Sequence, residues 1–234
     1  MLVDAGDAKH SSPRREPAGR LISYLESHQI RNVDTVVITH PHQNHFGGLR
    51  ALAGRIPVGR VFHNGDLSAE EGYAALLDYL KRKQVPVEIL KRGQKLEHLP
   101  DSLTIEVLNP SDLDASLNDN ALALWIKHDK VSFLFLADIG PDRQDALLAA
   151  FPQIRQADCV QIPHHGGPLS DMFIEAFQGK LFIISTGPNR WDLPDEDQLK
   201  RLNGTVYRTD KNGTIVVESD GNTLKVVSWI QNGN

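Results

Sequence analysis

One cysteine in 234 residues, Cys159, excludes an internal disulfide and a thiolate zinc cluster. Its setting, Asp158-Cys159-Val160-Gln161-Ile162, reads as a strand, so a buried and inert thiol is expected. No apolar run approaches the roughly 18 residues needed to cross a bilayer, and the first residues lack the charged-then-apolar pattern of a secretory signal. As written, the chain is therefore expected to be soluble and to make no membrane contact of its own. It would be cytoplasmic, or extracytoplasmic if it is part of a larger membrane protein. Excess positive charge is missing too: a net charge of -5 argues against general affinity for polyanions. Any nucleic-acid contact would need a local basic patch such as Lys81-Arg82-Lys83 or Lys91 to Lys95, and the simpler reading of both stretches is solvated helix ends and loops. Tandem repeats, low-complexity segments and linkers are also absent. With 40% hydrophobic residues, what is there suits one α/β domain spanning 1–234.

Along the chain, Met1-Leu2-Val3-Asp4-Ala5-Gly6 reads as a strand entering a turn, and Leu21, Tyr24 and Leu25 mark one face of a helix near Pro17 to His28. Val33 to Thr39 is expected as a buried strand, with Gly47-Gly48 opening a short helix through Leu52. After a strand at Val58 to His63, Ser68 and Glu71 form a capping box for a helix whose stripe is Tyr73, Leu76, Leu77 and Leu80. Strands dominate from Val87 to Asp138, including Ala121 to His128 and Val131 to Ala137, and strand and helix then alternate. The closing strands near Gly213 to Glu218 and Thr223 to Trp229 read as a hairpin through Asp220-Gly221. Two strand-rich blocks, each with helices, predict two sheets face to face with helices outside.

The densest chemistry lies in Thr39-His40-Pro41-His42-Gln43-Asn44-His45-Phe46-Gly47-Gly48, where three histidines follow the strand residues Val36-Val37-Ile38. A rigid strand ending in a tight loop aims several imidazoles at one point, and neutral imidazole is a favoured zinc ligand. A second pair, His164-His165, also follows a strand. Asp138 and Asp4 end apolar strands, where a carboxylate is costly unless partners meet it. Asp138 has a blander alternative as an N-cap for the segment from Pro141, and Asn118 and Asn120 could simply make turns. His10, His28, His63, His98 and His128 have no partner at useful spacing and read as structural.

The motif resembles the HxHxDH signature of the metallo-β-lactamase superfamily, and the chain most resembles the hydrolase domain of the DNA-uptake competence protein ComEC. The matching pieces, in order, are Val3-Asp4-Ala5-Gly6, the histidine motif, Asn118-Asp119-Asn120, Leu136-Ala137-Asp138-Ile139 and Ile162-Pro163-His164-His165-Gly166-Gly167. Ser185 to Asn189 and Tyr207 to Gly213 complete the series. The resemblance implies an αββα sandwich of two mixed sheets with a metal site at one edge. It assigns His40 and His42 to a first metal, Asn44 and His45 to a second, and Asp138 to the bridge. Asp4 would orient a histidine from behind, with Asn118 and Asn120 in similar supporting places, and His164 or His165 would be a metal ligand or phosphate contact. Arg208 and Lys211 are candidates for contacting a phosphate backbone.

Three departures qualify the resemblance. Asn44 stands where the family has Asp, so an anionic ligand is gone. The late histidine of related ComEC domains is replaced within Trp191-Asp192-Leu193-Pro194. The hairpin that precedes the strand equivalent to Leu2-Val3 is absent, which implies a truncated start or an open sheet edge. The expected cofactor is a divalent metal, zinc first and manganese as the alternative, as one ion or a strongly unequal pair. The expected activity is hydrolysis of a phosphodiester or related phosphoryl substrate, with single-stranded DNA as a candidate. Competing expectations are a weak or inactive member that binds nucleic acid or protein, and a hydrolase of another ester or lactam.

Overall fold

The computed structural model describes residues 1–8, 17–67 and 72–229. The chain divides into two compact units, the first made of Met1–Lys91 with Asp112–Leu122, the second of Arg92–Ser111 with the chain from Ala123 onward. In the first unit the order is β1 (Leu2–Val3), α1 (Pro17–Ser27), β2 (Val33–Ile38), α2 (Gln43–Phe46), α3 (Leu49–Arg55), β3 (Val58–His63), α4 (Tyr73–Arg82) and β4 (Val87–Ile89). The strands form one sheet in the order β1-β2-β3-β4, and every pairing is parallel. The expectation of mixed sheets fails here for a physical reason: each strand is joined to the next through a helix, and such a crossover returns the chain in the same direction.

A parallel sheet flanked by helices needs apolar residues on both strand faces, and β2 supplies them, with Val36 and Val37 fully buried. Leu25 of α1, Leu49 and Leu52 of α3, and Tyr73, Leu76 and Leu80 of α4 join the same core. The capping box proposed at Ser68 and Glu71, like His10, lies outside the described residues; α4 begins at Tyr73, after Gly72 in the left-handed region (φ 106°). As expected, the Gly47-Gly48 pair opens a short helix, α3, with Gly48 as its N-cap, and it also separates α3 from α2. Its second glycine permits a close approach: a Cβ on Gly48 would lie 2.2 Å from the Ala5 carbonyl oxygen.

The second unit contains β5 (Leu103–Asn109), β6 (Ala123–His128), β7 (Val131–Phe135), α5 (Pro141–Ala150), β8 (Cys159–Gln161), α6 (Asp171–Ala176) and β9 (Leu181–Ile184). It continues with α7 (Glu196–Lys200), β10 (Thr205–Arg208), α8 (Thr209–Asn212), β11 (Thr214–Ser219) and β12 (Leu224–Trp229). Its six-stranded sheet has the order β10-β9-β8-β7-β6-β5 and is mixed as expected, parallel from β7 to β10 and antiparallel at β5 and β6. Where helices intervene the pairing is parallel; where a two-residue turn links β6 to β7 it is antiparallel. Strands β11 and β12 form the expected hairpin, tied to the β6–β7 turn by Lys130 N–H donating to Gly221 O at 2.9 Å. Among the described residues, no helix is long and apolar enough to cross a membrane.

Candidate metal centre

In the first unit the histidine motif begins where β2 ends. Thr39 and His40 are buried, α2 starts after His42, and His45 is buried within it. The loop after β1 is fastened to this motif: Ala5 N–H donates to His45 O and Gly48 N–H to Gly6 O, both at 2.8 Å. These bonds bring Asp4 against the histidines. Its Oδ1 accepts the Thr39 amide at 2.8 Å, and its Oδ2 accepts both the Thr39 hydroxyl at 2.8 Å and His45 Nδ1 at 2.7 Å.

This pattern fixes where the ring protons sit. A carboxylate only accepts, so His45 Nδ1 carries its hydrogen and the lone pair lies on Nε2. Thr39 has one hydroxyl proton and gives it to Asp4, so at 3.0 Å its oxygen accepts from His40 Nδ1. The His40 lone pair is therefore also on Nε2, which lies 2.9 Å from His42 Nδ1. Two ligand nitrogens on one tetrahedral zinc, each with a bond of about 2.0–2.1 Å, would be roughly 3.3 Å apart. A change of a few tenths of an ångström turns the present His40–His42 contact into that geometry, so the donor set fits a divalent metal. Asn44 is exposed on α2, where successive residues point about 100° apart, while His45 turns inward.

Behind the motif is a buried polar knot of which sequence reasoning named Asn120 but not Asn64 or Asp66. Asn120 donates to Asp66 Oδ2 at 2.8 Å and to Asp114 O at 3.0 Å, and its carbonyl accepts from Asn64 Nδ2 at 2.9 Å. Leu122 N–H donates to Thr39 O at 2.8 Å, tying this segment to the motif. Asn120 thus braces Asp66 and the 114 loop, a different supporting role from orienting a histidine. His63 is buried beside it and takes the Gly65 amide on Nδ1, so its hydrogen is on Nε2, and Tyr73 Oη lies 3.1 Å from Nδ1. Burial lowers the His63 pKa and raises that of Tyr73, which the nearby Asp4 and Asp66 charges raise further, so both groups stay neutral near pH 7. Asn64 and Asp66 follow the end of β3 much as Asp138 follows β7, and that shared placement was the available signal.

In the second unit, β7 and β8 are parallel neighbours, so the segments leaving them emerge at the same edge of the sheet. Asp138 is buried there. The Gln161 side chain clamps the turn that presents it, accepting Leu136 N–H at 2.8 Å and donating to Ala137 O at 3.2 Å. The same Ala137 carbonyl accepts His164 N–H at 2.9 Å. Asp4, Ala137, His164 and His165 all have positive φ, between 48° and 57°. Such backbone is costly for residues other than glycine, and its concentration beside candidate site residues marks them as held in place by their surroundings. His165 Nδ1 donates to Ser185 O at 2.8 Å, and its Nε2 lies 3.5 Å from Asp138 Oδ2. With a protonated ring this is an ion pair; with a neutral ring two lone pairs face each other, an arrangement that a shared cation relieves.

Arg208, expected at a phosphate, is turned inward instead. Its side chain is 9% exposed and its guanidinium forks onto Asp210, Nε at 3.0 Å and Nη2 at 2.8 Å, with Nη1 on Glu196 at 2.5 Å. These bonds hold the Asp210 and Glu196 carboxyls below their ordinary pKa values and raise that of Arg208. A buried guanidinium committed to two carboxylates is a strap between α7, β10 and α8, and this corrects its assignment. Lys211 remains at the surface, 3.5 Å from Glu196.

The comparisons agree with this architecture. The metallo-beta-lactamase superfamily pattern matches residues 1–149. The ComE operon protein 3 of Bacillus subtilis (strain 168) is 32% identical over 231 residues, an alignment covering 92% of this chain and 29% of that protein. The chain thus spans less than a third of that relative. Among solved structures, the metallo-beta-lactamase fold protein YhfI from Bacillus subtilis superposes with a TM-score of 0.53 at 15% identity, over 89% of this chain and 84% of that one. That likeness shows the fold. With a family match over more than half its length, the chain belongs to the metallo-β-lactamase superfamily.

Proposed function

We propose that the protein is a metal-dependent hydrolase of a phosphodiester or related phosphoryl substrate, with His40, His42, His45 and Asp138 holding the metal and His164 or His165 meeting the substrate. The observation that carries the metal reading is the Thr39–Asp4 relay, which places the lone pairs of His40 and His45 on Nε2. When bound, a zinc or manganese ion would supply Lewis acidity and a lowered pKa for its water. The chain's own residues do the rest. Asp4 and Thr39 fix the orientation of two imidazoles through their Nδ1 atoms. His165, held through Nδ1 by Ser185 O, presents Nε2 toward a phosphoryl oxygen or leaving group. The phosphoryl preference rests on the likeness to ComE operon protein 3 and on the ComEC-like motifs.

Metal content of protein purified without chelator, followed by zinc- and manganese-dependent assays on a chromogenic phosphodiester and on single-stranded DNA, tests this reading. Stoichiometric metal and hydrolysis that both disappear in His40→Ala and Asp138→Asn are the expected results. Metal binding without hydrolysis would favour the second reading, a family member retained for binding. A neutral, exposed Asn44 in place of the family's carboxylate is the observation on that side.

A further inference from the structure

The residues between Ser185 and Asp195 form a loop whose two ends are fixed to the His165 segment. At one end Ser185 O accepts from His165 Nδ1; at the other Asp195 N–H donates to Gly166 O, both at 2.8 Å. The loop also presses on that segment, since a Cβ on Gly166 would lie 2.2 Å from Pro194 Cβ. Its tip is organised by one side chain: Asn189 donates to Gly187 O and Leu193 O and accepts from the Trp191 and Leu193 amides. This wiring supports a tryptophan that is 65% exposed, with the Arg190 guanidinium 4.8 Å from its ring centroid.

A tryptophan usually enters a core or an interface, because its large apolar surface is costly to leave in water. Here four local hydrogen bonds hold the loop that carries it while the ring stays outside. The Arg190 guanidinium lies over one face of the ring, so a base would stack on the opposite face while the arginine offers charge to a phosphate. Base stacking on an aromatic ring next to a cationic group is how proteins hold single-stranded nucleic acids with little sequence preference. We propose that Trp191 and Arg190 form a platform for one nucleobase and its flanking phosphate, so that His165's site takes base-bearing phosphodiesters in preference to base-free ones. The substrate class rests on the phosphodiester reading above; the platform itself can be tested without turnover.

The test uses protein as purified and phosphorothioate-linked octamers that resist hydrolysis: oligothymidylate, oligouridylate and an abasic octamer of equal charge. Binding is read by tryptophan fluorescence and by competition. The expected result is that both base-bearing octamers bind about tenfold more tightly than the abasic one, a gain within the range of a single stacked base. Trp191→Ala removes that preference, Trp191→Phe restores most of it, and Arg190→Ala weakens all three ligands. The ring is exposed, so Trp191→Ala should melt with the parent protein. Equal binding of abasic and base-bearing octamers by the parent, or an undiminished preference in Trp191→Ala, overturns the platform. A preference between thymidylate and uridylate, which differ in the base methyl as well as the sugar, does not assign DNA or RNA; either order, with both above the abasic octamer, supports the platform. Base-dependent binding by a protein that cleaves no phosphodiester would leave the platform standing and defeat the hydrolase reading.

Discussion

Thr39→Val isolates the relay between Asp4 and the imidazoles. Valine has nearly the shape of threonine, and Thr39 is 2% exposed, so the change removes a hydroxyl without opening a cavity. Two partners are stranded: Asp4 Oδ2 loses a donor and His40 Nδ1–H loses its acceptor. At about 1–3 kcal/mol for each buried group left unsatisfied, the loss is about 2–4 kcal/mol once partial relaxation is allowed. For a chain of this length that lowers Tm by about 5–15 °C. Metal affinity should fall as well, by about 10- to 100-fold, as when a group orienting a ligand is removed. Thr39→Ser keeps the hydroxyl and should recover most of both. Competition for zinc with a chromogenic chelator gives the affinity, and melting with and without chelator gives the stability. A Thr39→Val protein that melts early yet binds zinc as tightly as its parent would refute the reasoning, reducing Thr39 to a packing residue.

Two further outcomes follow from single side chains. Asn44→Asp restores a charged oxygen on α2 and should raise affinity for a second ion while leaving the first unchanged, seen as a second step in a zinc titration; a one-step curve identical to the parent's would count against it. Cys159 is buried, and burial first, then the Asp158 charge, pushes its pKa up to about 12. In the unfolded chain the thiol titrates near 8.5. The stability this contributes is therefore complete below about pH 8.5 and declines as pH rises toward 12, by up to about 1.4 kcal/mol per pH unit. Cys159→Ala should be less stable at neutral pH but show a shallower decline between pH 9 and 11 in urea titrations, and parallel slopes would contradict the burial argument.

Much of the scaffold was legible because its signals are local. Alternating helix and strand patterns identified α1, α4 and the Val33 to Ile38 strand, and Asp220-Gly221 identified the last hairpin. The failures lie where long-range contact overrides local pattern. Gly48 opens α3 as its sequence suggests, yet the close approach of the Ala5 carbonyl that also requires a glycine there was not legible. An all-parallel first sheet could not be read from strand composition, because direction is set by the connections.

The site divides in the same way. Histidine spacing points to His40, His42 and His45 as candidate ligands, and strand ends point to Asp4 and Asp138, since a carboxylate there demands partners. Arg208 shows the limit of this reasoning: in a sequence, a cation near a turn looks available to a phosphate, and only the fold brings Glu196 to the same guanidinium that Asp210 already holds. Thr39 shows the converse. Its identity carries no ligand signal, but its hydroxyl touches both Asp4 and His40, so one carboxylate governs the tautomers of two imidazoles at once. Asp4→Asn should accordingly weaken metal binding at least as much as Thr39→Val, because His45 loses its acceptor in the same step.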